Sequence, residues 1–145
     1  MQQAEIIWLE DLVPKNHNYR KFAEIWSFKH VEKRLKKLEK DNPNKGHGLL
    51  RLFKCLLLQF MENYSDRELE RFIQENTAAR WFCGFNLRDN TPDHTVFCQL
   101  RKKIGTNVLS KIFTDLRDQL KQQGLMSEVF TFVDATHLIA KANLW

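Results

Sequence analysis

Disulfide and zinc chemistry have little to work with in this chain of 145 residues. Its three cysteines, Cys55, Cys83 and Cys98, lie 28 and 15 residues apart and form no Cys-x-x-Cys pair, so neither a disulfide framework nor a zinc ribbon is supported. Reduced, mostly buried thiols are expected instead. Glycine (5) and proline (3) are scarce, which argues against long irregular stretches and a many-turned β-sandwich. No apolar run is long enough for a bilayer: Leu49 to Met61 is interrupted by Arg51, Lys54 and Gln59 and falls short of the roughly 20 residues required. The opening Met1-Gln2-Gln3-Ala4-Glu5 lacks the basic start and apolar core of a secretory signal. A Gly-rich phosphate loop, a Gly-x-Ser-x-Gly elbow, a His-Glu-x-x-His helix and an EF-hand loop are all missing, and His17, His30 and His47 show no metal-ligand spacing. The expectation is a cytoplasmic chain with no membrane partner.

Charge, by contrast, is plentiful and uneven. Lys and Arg outnumber Asp and Glu by 23 to 18, a net +5, in a chain that is 43% hydrophobic and 28% charged. That is the balance of a folded domain rather than a disordered one. Residues 21–45 hold eight cations against four acids, residues 62–90 hold four Arg against six acids, and residues 91–105 return to +2 through Arg101, Lys102 and Lys103. Two basic islands therefore flank an acidic stretch, a distribution that suits an anionic partner better than an even spread would.

Hydrophobic spacing predicts helices almost throughout. The first 20 residues read as an extended arm with a turn at Val13-Pro14. From Lys21 to Lys40 the apolar residues recur at three- and four-residue steps, predicting one helix or two with a break near Ser27. Gly48 to Glu62 is apolar around most of its circumference, the pattern of a helix packed on several sides. Ser65-Asp66-Arg67-Glu68 matches a capping box and opens the next helix, which ends near Glu75-Asn76. A short helix over Ala78 to Phe82 stops at Gly84. Another helix starts after Thr91-Pro92-Asp93 with Val96, Phe97, Leu100 and Ile104 inward, and a last one runs from Asn107 to Gln123. Trp8, Trp26 and Trp81 are read as core or lid residues. After Leu125 the pattern changes, because Val129-Phe130-Thr131-Phe132-Val133 has the composition of a buried strand and has no partner strand. The fold class expected is an all-α domain followed by one orphan β-strand, with an arm over 1–20 and a helical domain over 21–125.

Three groups of residues could carry chemistry. Asp134, at the end of the predicted strand, is placed as metal-holding carboxylates often are, but on this fragment alone an acid that begins a turn is the favoured reading; His137 beside it is a weak second ligand or a turn residue. On the helix after Pro92, Asp93, His94, Thr95, Gln99, Arg101 and Lys102 lie on or near the outer side. Short polar residues near the start and cations near the end suit a DNA groove, although the cations would also complement the helix dipole of a solvated face. Lys33, Lys36 and Lys37 belong to a basic helix that could attract phosphates, or could pair with Glu32 and Glu39 along the helix. About 17 residues separate Glu75 from Asp93, far more than the usual three- or four-residue turn of a helix-turn-helix.

Several segments occur in a telling order: Leu49-Leu50-Arg51-Leu52 to Gln59-Phe60, Tyr64-Ser65-Asp66-Arg67-Glu68-Leu69-Glu70, Arg80-Trp81-Phe82-Cys83-Gly84, Pro92-Asp93-His94-Thr95 to Leu100-Arg101-Lys102, and Val133-Asp134-Ala135-Thr136. From about Leu12 onward the chain resembles the N-terminal part of bacterial insertion-sequence transposases of the insertion-sequence-five group, with an InsH-like N-terminal domain. The resemblance implies a helical domain that binds double-stranded DNA at the element's terminal inverted repeats. It also implies an RNase H-like catalytic domain of the Asp-Asp-Glu class beginning within 126–145. Asp134 would be its first catalytic and metal-binding carboxylate, working with Mg2+. With only 11 residues after Asp134, the other two carboxylates are not in this sequence, so the chain alone is not expected to cut DNA. The alternative expectation is a non-enzymatic interaction domain, a truncated product that pairs with full-length transposase or with itself. The location implied is the cytoplasm, associated with the nucleoid.

Overall fold

Helix α4 (Leu49–Glu62) supplies the axis around which the rest is arranged. Ten of its 14 residues are buried, from Leu49 to Met61, because nearly every turn offers Leu, Phe, Cys or Met in more than one direction. The computed structural model describes residues 6–41 and 48–122. Among these residues the chain is helical without strands: α1 (Leu9–Leu12), α2 (Asn18–Ile25), α3 (Lys29–Asp41), α4, α5 (Asp66–Glu75), α6 (Thr77–Cys83), α7 (His94–Ile104) and α8 (Thr106–Gln122). Helices α3, α5, α6 and α7 all pack on α4. The expected strand Val129 to Val133, with Asp134 and His137, lies outside the described residues.

The break near Ser27 is real, and two aromatic rings cause it. Trp26 caps α2 in an extended conformation, and its ring and that of Phe28 turn inward together, 4.7 Å apart between centroids, against Phe22 and Phe53. A continuous helix could not point residues 26 and 28, two apart, to one side. The stretch read as an extended arm is corrected by the structure. It contains the helical turn α1, and α2 begins already at Asn18. Arg20 holds this segment by donating to the carbonyl oxygens of Glu10 and Val13 at 2.6 and 2.9 Å and to the Glu10 carboxylate, while its guanidinium lies 4.5 Å from the Trp81 ring centre. Trp26 is buried and Trp81 half-buried, but Trp8 is 67% exposed and so is not a core residue.

The capping box at Ser65 is complete. Its Oγ accepts from Glu68 N, and the Glu68 carboxylate accepts from Ser65 N. Ser65→Ala should cost about 1 kcal/mol of stability in a urea melt, since one helix-start N–H would lose its partner. At the other end of this region, Gly84 closes α6 at φ 86°, which a side-chain-bearing residue adopts only with strain. Arg80 then ties the end of α5 to the loop after α6 by donating to the carbonyl oxygens of Gln74, Asn86 and Asp89 at 3.2, 2.8 and 3.2 Å. All three cysteines are free thiols, with Cys55 and Cys83 buried and Cys98 half-buried.

Candidate nucleic-acid interface

Helix α7 is held at its start, along its inner face and at its end by separate devices. Asp93 is its N-cap, and its carboxylate accepts from Thr95 N at 2.8 Å, Val96 N at 3.3 Å and the Thr95 hydroxyl. Phe97, Leu100 and Ile104 are buried against the core at three- and four-residue steps. Gly105 ends the helix at φ 89°. What remains outward is Thr95, Gln99 and Lys102, all exposed.

Two polar bridges fasten α7 to α5. Arg101 donates both Nη atoms to the Asp66 carboxylate, each at 2.7 Å, and Gln59 of α4 joins them by donating to Asp66 at 2.7 Å and accepting from Arg101 at 3.2 Å. Gln59 is the one buried polar residue among the described ones, and this bridge satisfies both ends of its amide. Burial raises the Asp66 carboxyl, but the hydrogen bonds from Arg101 and Gln59 outweigh it and hold the group below its ordinary value. The second bridge joins Glu70 to His94, whose backbone N–H and Nδ1 lie 2.8 and 3.2 Å from one carboxylate oxygen. These contacts, the backbone one foremost, lower the Glu70 carboxyl. Asp66 meets Arg101 near the end of α7 and Glu70 meets His94 at its start, so the two helices run in opposite senses.

The six candidates on α7 therefore divide. Thr95, Gln99 and Lys102 share the open face. Arg101 does not belong to it, because its side chain is only 11% exposed and its guanidinium is turned to Asp66. Asp93 is exposed but serves as the cap, and His94 faces Glu70. Lys33, Lys36 and Lys37 are exposed on α3, whose principal contact is α4 rather than α7. Beside them, a groove of about 460 Å3 has Lys33 and Arg34 on one side and Asp115 and Asp118 of α8 on the other, a mixed lining that does not favour phosphate. Glu70, Asp93 and His94 also bring three potential metal-ligand atoms within 4.8 Å of one another. Backbone N–H groups at residues 94 to 96 already donate to those carboxylates, and the positive end of the helix dipole points at the same spot. The cluster is the cap of α7.

Sequence reasoning missed Asp66, Gln59 and Glu70. Asp66 and Glu70 are four residues apart beside a capping box, and that spacing was the one available sign that α5 offers an acidic edge to a neighbour.

Residues 8–103, about two-thirds of the chain, match the family model described as a transposase domain (DUF772). The chain belongs to that family. The match spans α1 to all but the last residue of α7, so both polar bridges and the open face of α7 are parts of the transposase domain. Comparison with curated proteins and with solved structures gives no match. Membership places the chain in transposition, a process that acts on DNA. No helix among the described residues is long and apolar enough to cross a membrane.

Proposed function

We propose that this transposase domain recognises double-stranded DNA, at the terminal inverted repeats of an insertion sequence of the insertion-sequence-five group, with α7 in the major groove. The observation that carries the reading is the open face of α7. Thr95, Gln99 and Lys102 project outward while Asp66 and Glu70 hold the adjacent edge of the helix in place. Gln99 can hydrogen-bond base edges, Thr95, whose hydroxyl donates to Asp93, can accept from them or offer its methyl, and Lys102 can reach a guanine or a phosphate. A recognition helix needs this division between side chains that read and side chains that fix its position. Arg101, on this reading, positions α7 rather than touching DNA. Lys33, Lys36 and Lys37 add sequence-independent attraction. Asp134 with Mg2+, as the first carboxylate of an Asp-Asp-Glu site in an RNase H-like domain, belongs to the same reading and lies outside the described residues.

The test is a salt series of binding to a duplex carrying the terminal repeat and to a scrambled duplex. The wild-type chain should prefer the repeat. Thr95→Ala with Gln99→Ala should abolish most of that preference while leaving scrambled-duplex binding nearly unchanged. Equal loss on both duplexes would remove α7 as the reading helix.

Pairing with a full-length transposase or a second copy, without enzymatic activity, is favoured by a different observation. Ile6, Ile7, Trp8 and Leu12 are 87, 51, 67 and 42% exposed, an apolar cluster at the start of the described chain. Light scattering that finds only monomer, alone and with a full-length partner, would dispose of it.

A further inference from the structure

We propose that α5 grips the phosphate backbone of the bound duplex through Arg67 and Arg71, beside the groove that α7 enters. The inference rests on the DNA-binding reading above and adds a second contacting helix to it.

Helix phase provides the first argument. Asp66 and Glu70 mark the edge of α5 turned to α7, and Leu69 and Ile73 mark the edge turned to the core. Each residue advances about 100° around a helix, so Arg67 and Arg71, each one step beyond a bridging acid, face away from the core. The same rule acts on α7. His94 and Arg101 mark its edge toward α5, and Thr95 and Lys102, again one step beyond, are exposed. Because the helices are antiparallel, one step beyond the bridge rotates both faces to the same outer side of the pair. Arg67, Arg71, Thr95 and Lys102 thus share one surface.

Charge provides the second. Residues 62–90 look acidic, with six acids against four Arg. Five of those acids are aimed at partners within the fold: Glu62 at the Tyr19 hydroxyl, Asp66 at Arg101, Glu68 at Ser65 N, Glu70 at His94 and Asp89 at Asn86 N. Of the arginines, Arg80 is committed to loop carbonyls, whereas Arg67 and Arg71 are exposed and make no ion pair with a described residue. The sixth acid, Glu75, is exposed one turn beyond Arg71 at the far end of α5, so the start and middle of this face carry Arg67 and Arg71 and only its end carries an acid. In helix-turn-helix proteins the helix preceding the recognition helix crosses the DNA backbone. Here α6 and a loop replace the short turn, yet α5 and α7 still pack side by side.

The experiment is a salt series with the full chain on a mixed-sequence duplex and on the terminal-repeat duplex. Relative to wild type, R67Q/R71Q should lower the slope of log affinity against log salt by about 2, near 0.9 for each phosphate no longer neutralised, and equally on both duplexes. R67K/R71K should keep the wild-type slope. Lys111→Gln, which removes an exposed cation from α8, should also leave it unchanged. A wild-type slope in R67Q/R71Q would overturn the inference alone, as would an equal per-charge loss from Lys111→Gln. A wild-type chain that binds neither duplex would sink the DNA-binding reading with it. Loss of helical circular dichroism in R67Q/R71Q would mean that the arginines hold the fold, and would also count against it.

Discussion

Asp66→Ala should destabilise the domain by about 2–3 kcal/mol in urea unfolding and, on the proposed function, weaken DNA binding as a consequence. Removing this carboxylate takes a partner from two groups at once. Arg101, whose side chain is 11% exposed, loses the carboxylate that takes both its Nη atoms, and Gln59, 4% exposed, loses the acceptor for its amide N–H. Breaking one side of a well-buried pair commonly costs about 3–5 kcal/mol. Water still reaches 26% of the Asp66 side chain, so screening places the loss below that range. Asp66→Asn keeps the shape and a hydrogen-bonding oxygen, and should lose about half as much. Asp66→Ala combined with Arg101→Ala should cost less than the sum of the single changes, because the cation deprived of its carboxylate is gone; simple additivity would show that the two residues are not coupled. The pH dependence has a definite sign. The folded carboxyl titrates below its ordinary value of 3.8, so its contribution is complete above that value and is lost as pH falls through the lower folded pKa. The stability difference between wild type and Asp66→Asn should therefore be constant from neutral pH to about 5 and shrink below about 4.

The Asp66 bridge also marks the boundary of what the sequence reveals. Local chemistry was legible: the Ser65 and Glu68 cap, the all-round apolar α4, the stop at Gly84 and the inner face of α7 all follow from residues within one or two turns of each other. The partners of Asp66 and Glu70 lie 35 and 24 residues away, and no local rule pairs them. Without that pairing, Arg101 looks like another cation on the outside of α7, and residues 62–90 look like an acidic stretch ill suited to DNA. The short turn α1 was hidden for the same reason. Four residues do not hold a helix by themselves, and Leu9–Leu12 owes its place to Arg20 and to Trp81, whose Nε1–H donates to Glu10 at 2.5 Å across 71 residues. Helices with their own caps and faces can be read from sequence, whereas the bridges that orient them appear only when the fold is present.

Phe113→Ala should be at least as damaging as the loss of the bridge, about 3–5 kcal/mol by urea unfolding, and the result bears on how large the folding unit is. The family match stops at residue 103, before α8 begins. Yet Leu109, Ile112, Phe113 and Leu116 of α8 are all buried. The Phe113 ring meets Phe60 edge-on at 4.3 Å between centroids and lies near-parallel to Phe53 at 6.3 Å, both of them on α4. Truncation to Ala would remove both ring contacts and leave a cavity beside the most buried helix of the domain, which α4 cannot close without abandoning its contacts with α3, α5, α6 and α7. Phe113→Leu fills most of that space and should lose only about 1–2 kcal/mol. A chain ending at Ile104 should, by the same argument, unfold without a cooperative transition, since it exposes the apolar patch that α8 covers. If Phe113→Ala instead cost under about 1 kcal/mol, α8 would be an appendage to the matched domain rather than one of its walls. The larger loss would mean that α8 is needed to hold α4, and through Gln59 and Asp66 the α5–α7 pair, in its arrangement.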